Sequence, residues 1–274
     1  MNLYISCDME GTAGVCAWPQ CDPNDAHEYP AYRRYMTGEV SAAIAGARAA
    51  GVASVLVNDS HWNMRNLLLE DLPGGDVRVI SGTRKPLSMG EGLGAGFDAV
   101  FLTGYHAKAG DAATLSHTFS EAIYEVRVNG TACSEALLVA ALAGSFGVPV
   151  VLVSGDGTIV AETAAQLPWV VGVAVKNAVG YSAVNSLTPA AACDAIETGA
   201  REAIARASQA RPFTFDGPCQ LEIDTAGVEQ ADFIELMPGF ERIGGRRVRF
   251  RAAAYPQAYR AFVAATRLGT AASA

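Results

Sequence analysis

The residues best suited to chemistry fall in five short segments: Asp8-Met9-Glu10, Asn58-Asp59-Ser60-His61, Gly104-Tyr105-His106, Ser116-His117 and Ser134-Glu135. Asp8 and Glu10 are two residues apart, so in extended chain their side chains point the same way. Two carboxylates held together repel unless a proton or a cation lies between them. His61 and His106 would add nitrogen donors, and mixed carboxylate–imidazole sets suit zinc, and other divalent transition ions less specifically. Each segment also has an ordinary reading. Alone, Asp8-x-Glu10 is a solvated loop, and a lone His61 or His106 is a hydrogen-bonded core or rim residue. Glu135 is then an acid that favours the dipole of its helix's first turn. Concentration argues for a site. The chain has four histidines, and His61, His106 and His117 all follow β runs or short loops on one expected side. His27, in the polar Asp22–Glu28 loop, is expected to be exposed.

The elements that must position these groups are legible as alternating short β runs and longer helical runs. Strands are expected at Leu3–Ser6, Ser54–Asn58, Val77–Ser81, Asp98–Thr103, Ala122–Val128, Val148–Ser154, Val170–Lys176 and Gln220–Asp224. Helices are expected at Tyr29–Ala50, from a Ser134 cap to Phe146, and at Glu162–Leu167, Thr188–Ala207 and Tyr255–Leu268. Asn129-Gly130 and Gly147 supply turn signals of two kinds, a hairpin dipeptide and a helix stop. Alternation of this kind implies an α/β fold, a mostly parallel sheet sandwiched by helices. A smaller β-rich C-terminal lobe follows Pro212, with Gly244-Gly245 as a hairpin turn. The expected division is a metal-binding α/β hydrolytic domain over 1–210 and an α+β lobe over 211–274 packed on it. In open α/β sheets ligands lie beyond the carboxyl ends of the strands. Asp8, Glu10, His61 and His106 all follow strands, so they meet on one rim if those strands are neighbours.

Composition excludes several functions. The 274 residues are half hydrophobic and 18% charged, with a formal charge of −8. Such a chain buries a large core without disulfide staples, and is not a disordered one. An acidic balance argues against a nucleic-acid partner. Six cysteines without a C-x-x-C pair, and acids at the N-terminus in place of a signal peptide, indicate a cytoplasmic protein with reduced thiols. The longest apolar stretch, Ala136–Val153, is split by Gly147-Val148-Pro149, so a helix and a strand explain it better than a membrane span. Five arginines between 242 and 251 read as a solvated hairpin or a subunit contact. Cys7, next to Asp8, reads as core. Asp59 and Asn58 are candidates to orient the imidazoles. Asp156 is a candidate for reading a substrate amine, weighed against a turn acid beside glycines, and Lys176 is equally ambiguous.

The segments Ser6-Cys7-Asp8-Met9-Glu10-Gly11, Asn58-Asp59-Ser60-His61, Gly104-Tyr105-His106-Ala107, Ser116-His117 and Ser134-Glu135 together resemble the bacterial zinc-dependent D-aminopeptidase family of the dipeptide-transport (DppA-like) type. Ile80-Ser81-Gly82, Met89-x-Glu91-Gly92-Leu93, Leu187-Thr188-Pro189 and Leu236-Met237-Pro238-Gly239 extend the likeness over nearly the whole chain. The resemblance implies that Asp8, Glu10, His61, His106 and Glu135 hold two zinc ions, with Asp8 bridging. It implies that His117 is catalytic, proposed in the family as the nucleophile. General chemistry favours an acid–base role, since neutral imidazole serves both near pH 7. A homodecamer of two stacked pentameric rings, with sites facing an inner chamber, is implied too. The Cys16–His27 loop has its own composition.

The function expected is therefore a dinuclear zinc aminopeptidase. It would hydrolyse short peptides and amides with an N-terminal D-amino acid, such as D-Ala dipeptides. The alternatives are another metal-dependent amidase or phosphoesterase on the same ligands, or a non-catalytic, metal-stabilised ring protein that binds peptides.

Overall fold

The computed structural model describes residues 1–272. Its elements in chain order are strand β1 (Asn2–Cys7), helices α1 (Trp18–Cys21) and α2 (Tyr29–Ala49), and strands β2 (Ser54–Asp59), β3 (Val77–Ile80), β4 (Ala99–Tyr105), β5 (Ile123–Val128) and β6 (Thr131–Ala132). Then come α3 (Glu135–Ser145), β7 (Val150–Asp156), α4 (Gly157–Gln166), β8 (Val171–Gly180), β9 (Ala183–Ser186) and α5 (Pro189–Ala205). The chain finishes with β10 (Cys219–Thr225), α6 (Val228–Glu235), β11 (Phe240–Arg242), β12 (Arg247–Ala252) and α7 (Tyr255–Ala272).

Seven strands form the main sheet in the order β3-β2-β1-β4-β7-β8-β9. All neighbours are parallel except the β8–β9 edge pair. β1 lies between β2 and β4, so the strands that precede Asp8, His61 and His106 are adjacent. The period-two alternation of a strand divides its side chains between two cores. Leu3, Ile5 and Cys7 of β1 face the layer of α2 and α5, and Tyr4 faces the layer of α3 and α7. α2 meets α5 closely because Gly46 has no side chain: a Cβ there would stand 2.1 Å from the Glu197 carbonyl oxygen.

The second sheet is antiparallel, in the order β11-β12-β10-β5-β6. Its outer strands come from the C-terminal segment and its other edge from the hairpin β5–β6, well before residue 211. Pairing with β5 satisfies the ladder of β10, which would otherwise present an open edge. The hairpin turns at Asn129 (φ 50°) and Gly130 (φ 83°), the left-handed pair a two-residue hairpin demands.

Most expected elements recur within a few residues. α4 starts at Gly157, five residues before its expected start, because Asp156 caps it: Oδ1 accepts from the Thr158 and Ile159 amides. α1, α6, β6 and β9 carry no strong periodicity, and the sequence pattern does not predict them. No helix among the described residues is long and apolar enough to cross a membrane.

Candidate metal centre

The carboxyl end of β1 is built by close backbone approach. The Asp8 amide donates to the Thr103 carbonyl and the Gly11 amide to the Gly104 carbonyl, both at 2.8 Å. A Cβ on Gly11 would stand 1.8 Å from the Tyr105 oxygen, and one on Gly104 (φ +70°) 2.1 Å from the Asp8 oxygen. Glycine at both positions lets the Asp8–Gly11 turn press on the end of β4, which puts Asp8 beside His106. Buried Lys176 on β8 secures the turn from below, donating to the carbonyls of Glu10 and, at 2.7 Å, of Val15.

Asp8, Glu10, His61, His106 and Glu135 converge and are all buried. His61 Nδ1 lies 3.3 Å from Asp8 Oδ1 and 2.9 Å from Glu10 Oε2. His106 Nε2 lies 3.4 Å from Asp8 Oδ2 and 3.5 Å from Glu135 Oε2. The two oxygens of Asp8 therefore face two different imidazoles. Two ligands of one tetrahedral zinc, each about 2.1 Å from it, stand about 3.4 Å apart, and these separations fall around that value. Asp8 Oδ2, Glu10 Oε2 and His106 Nε2 are buried without a hydrogen-bond partner. Orphaned buried polar atoms are rare and call for a bound group. The donor set thus fits a pair of divalent cations.

The second nitrogen of each ring is anchored on a carbonyl, which only accepts. His61 Nε2–H donates to the Cys21 carbonyl at 2.8 Å, and His106 Nδ1–H to that of Ala107 at 2.9 Å. The other nitrogen of each ring is thereby left free to face the carboxylates, the atom that could bind a metal. Asp59 does not orient His61 directly. Its carboxylate accepts from the Asn66 and Leu67 amides and the Asn66 side chain, which in turn donates to the His61 carbonyl. Asn58 binds the Met89 and Ser88 carbonyls instead. Asp156, besides capping α4, accepts from the Ala107 amide at 2.8 Å, so both its oxygens are engaged. Cys7 is buried against the Asn58 carbonyl, as a core residue, and His27 is exposed.

Charge in the cluster is mutual. Burial would lift the Asp8 carboxyl, but the facing His106 and His61 hold it well below the usual range. Burial lifts Glu10 as well; His61 overcomes that and leaves it lowered. Burial opposes charge on His61 and His106, yet Glu10 and Asp8 around the first ring, and Glu135 and Asp8 around the second, raise both well above the ordinary imidazole value. A cation entering the cluster replaces these ring protons.

His117 stacks on His106 with ring centroids 4.1 Å apart and planes 5° off parallel. Its Nδ1–H donates to the Leu115 carbonyl at 2.8 Å, so Nε2 faces the cluster, 3.7 Å from Glu10 and 4.0 Å from Glu135. Leu115 (φ 50°) and Phe119 (φ 61°) on either side are left-handed, a strained backbone of the sort retained at functional sites. Trp18 packs edge-on against the His117 ring, and with Trp62 it lines a cavity of about 640 Å³ above the cluster. Trp169 is elsewhere, bonded to the Val150 carbonyl.

Two contributors escaped the sequence. Cys21 supplies the carbonyl that fixes His61, and its sulfur lies within reach of the Glu10 and His61 ligand atoms. Burial, reinforced by the nearby Glu10 charge, pushes the Cys21 thiol up, so it does not ionise by itself. Lys176 is ambiguous from sequence alone. No spacing rule links either to the site.

An α/β sheet carrying buried carboxylates and imidazoles at the carboxyl ends of adjacent strands is the arrangement of a metal-binding protein suited to hydrolysis. The Peptidase_M55 family model, described as D-aminopeptidase, matches residues 1–264. A D-aminopeptidase from Bacillus subtilis (strain 168) is 36% identical over 276 residues, covering 98% of this chain and 97% of the relative. A solved structure, described as "Zn-dependent D-aminopeptidase DppA from Bacillus subtilis, a self-compartmentalizing protease", superposes with a TM-score of 0.95 at 35% identity, over 98% of both chains. The chain belongs to the D-aminopeptidase family and is an enzyme of the peptidase class.

Proposed function

We propose that this enzyme is a zinc-dependent aminopeptidase that holds two ions per subunit and removes N-terminal D-residues from short peptides and amides such as D-Ala dipeptides. The observation that carries the reading is Asp8, whose two oxygens each face a different histidine within 3.4 Å. Asp8, Glu10 and His61 would hold one ion, and Asp8, His106 and Glu135 the other. Bound zinc supplies Lewis-acid polarisation of the scissile carbonyl and lowers the pKa of a water to about 7. Three carboxylates offset the charge of the ions. The Cys21 and Ala107 carbonyls keep His61 and His106 aimed, and burial keeps the cluster dry.

His117 would move the proton. With Nδ1–H committed to Leu115, Nε2 is the atom that accepts a proton during attack and returns one to the leaving amine. Preference for D-residues is carried by family membership and by the relatives' names.

The self-compartmentalizing character of the solved relative supports self-assembly of this chain, and the family resemblance puts that assembly at a homodecamer. Val228, Phe233 and Leu236, on and just after α6, are about half exposed or more, an apolar surface suited to contact with a second copy. The free cysteines suit a reducing, cytoplasmic setting.

The deciding experiment is hydrolysis of D-Ala-D-Ala against L-Ala-L-Ala, with and without chelator, beside metal analysis. About two zinc ions per chain and chelator-sensitive turnover of the D-dipeptide are expected. Two bound ions with no hydrolysis of any D-peptide would make the protein a binder instead.

A further inference from the structure

The cavity above the metal centre has two chemically different sides. Asp8, Glu10 and Glu135 lie at its base, and Glu121 adds another acid among its walls. The other side is the last helix, α7, which lines the cavity with Val263, Thr266, Arg267 and Thr270. Positions 263, 266, 267 and 270 form one stripe of a helix. Val263 and Thr266 are buried and Arg267 is exposed, so the guanidinium is on the solvent-reached part of the stripe.

Arg267 is the one Lys or Arg in the cavity lining. Its guanidinium donates a long hydrogen bond, 3.4 Å, to Thr83 Oγ1. Among the described residues it forms no ion pair with a carboxylate, whereas Arg127, Arg242, Arg247, Arg249 and Arg251 all do. Lys85 lies near enough for the like charge of Arg267 to add to the burial that holds its ammonium down to about 8. Arg267 thus brings to the lining of the same cavity as Asp8, Glu10 and Glu135 a guanidinium that pairs with no carboxylate among the described residues.

That polarity matches a short peptide in water, which carries an amine at one end and a carboxylate at the other. The bond to be cut follows the first residue, so the amine end lies at the metal-holding base and the free carboxylate lies away from it. A guanidinium binds carboxylate with paired, charge-assisted hydrogen bonds. We propose that Arg267 binds the C-terminal carboxylate of the substrate and so selects short peptides with a free C-terminus over carboxyl-blocked amides. The proposal rests on the aminopeptidase reading above.

The test compares the zinc-loaded wild-type enzyme with Arg267→Gln and Arg267→Lys on two substrates, D-Ala-D-Ala and D-alanine amide. Losing one charge-assisted contact lowers kcat/KM for the dipeptide about 10- to 100-fold in Arg267→Gln, mostly through KM. Arg267→Lys recovers part of that loss. Turnover of the amide, which has no carboxylate, stays within about twofold in both variants. Equal losses on both substrates, or an unchanged dipeptide KM in Arg267→Gln, overturn the assignment while leaving the aminopeptidase reading intact. If the wild-type enzyme cleaves neither substrate, the aminopeptidase reading has failed and the assignment falls with it.

Discussion

Each imidazole at the centre has one nitrogen spent on a backbone carbonyl and one turned inward, so the three rings differ in where the inward nitrogen sits. His61 and His106 turn their free nitrogens onto the shared Asp8. His117 stands farther out, 3.7 Å from its nearest carboxylate, with a strained backbone on both sides. His117→Ala should therefore retain zinc within error by metal analysis and lose about 10²- to 10⁴-fold in kcat, the usual worth of a positioned proton carrier. Near-normal kcat in that variant would remove His117 from the reaction. Asp8 behaves differently because one residue serves both halves of the cluster. The sequence showed Asp8, Glu10 and the three histidines as chemically suited. It left open which nitrogen of each ring is free, because the answer lies in carbonyls supplied by Cys21, Ala107 and Leu115.

The elements act through close packing at strand ends. Gly11 and Gly104 let the β1 and β4 termini touch, and a methyl at Gly11 would collide with backbone rather than with a flexible side chain. Gly11→Ala is expected to lower stability by about 3 kcal/mol or more and to reduce zinc content, read by thermal unfolding and metal analysis; unchanged values for both would dissociate the turn from the site. A second prediction concerns α2. Glu39 is buried there, one oxygen accepting from the Ala13 amide at 2.8 Å and the other without a partner. Burial raises its carboxyl from 4.5 to about 7, against the lowering pull of the Ala13 amide and the Lys176 charge. The folded protein then binds more protons than the unfolded chain between these values, so stability falls as pH rises from about 4.5 to 7. Glu39→Gln removes that slope. Between pH 4.5 and 8 its stability relative to wild type should improve by up to about 3 kcal/mol, measured by denaturant unfolding at both ends under identical metal conditions. A difference that does not change with pH would show that Glu39 does not titrate in this range.

At the scale of the whole molecule, the centre ties together segments from residue 8 to residue 135, and α7 closes the cavity from the far end of the chain. Zinc bound to such a site stabilises only the folded state. A free concentration 100 times the dissociation constant adds about 2.7 kcal/mol. Added zinc should raise the melting temperature and chelator should lower it, and a melting temperature indifferent to both would argue against a preformed centre. Solution mass tests the assembly: ten times the 28.5 kDa of one chain is expected, and a monomer would leave the exposed apolar side chains of α6 without a partner copy.

Period and punctuation were enough to read the alternating strands and helices, the Ser134 cap and the Asn129-Gly130 turn, because these depend on contacts a few residues apart. The short motifs named the acids and imidazoles, because ligand chemistry is a property of residue type. Strand order was not readable from such local signals. Adjacency of β1 to β2 and β4 is what turns three separate motifs into one centre, and pairing between chain segments more than forty residues apart is decided by packing of the whole core. The same holds for the hairpin β5–β6, which completes a sheet whose other strands follow residue 218, for the Lys176 ammonium bonded to the Glu10 carbonyl, and for Arg267, which shares a cavity with the acids only because α7 folds back onto it. Proximity of that kind arises when loop-closure entropy is repaid by burial, and no local pattern encodes it.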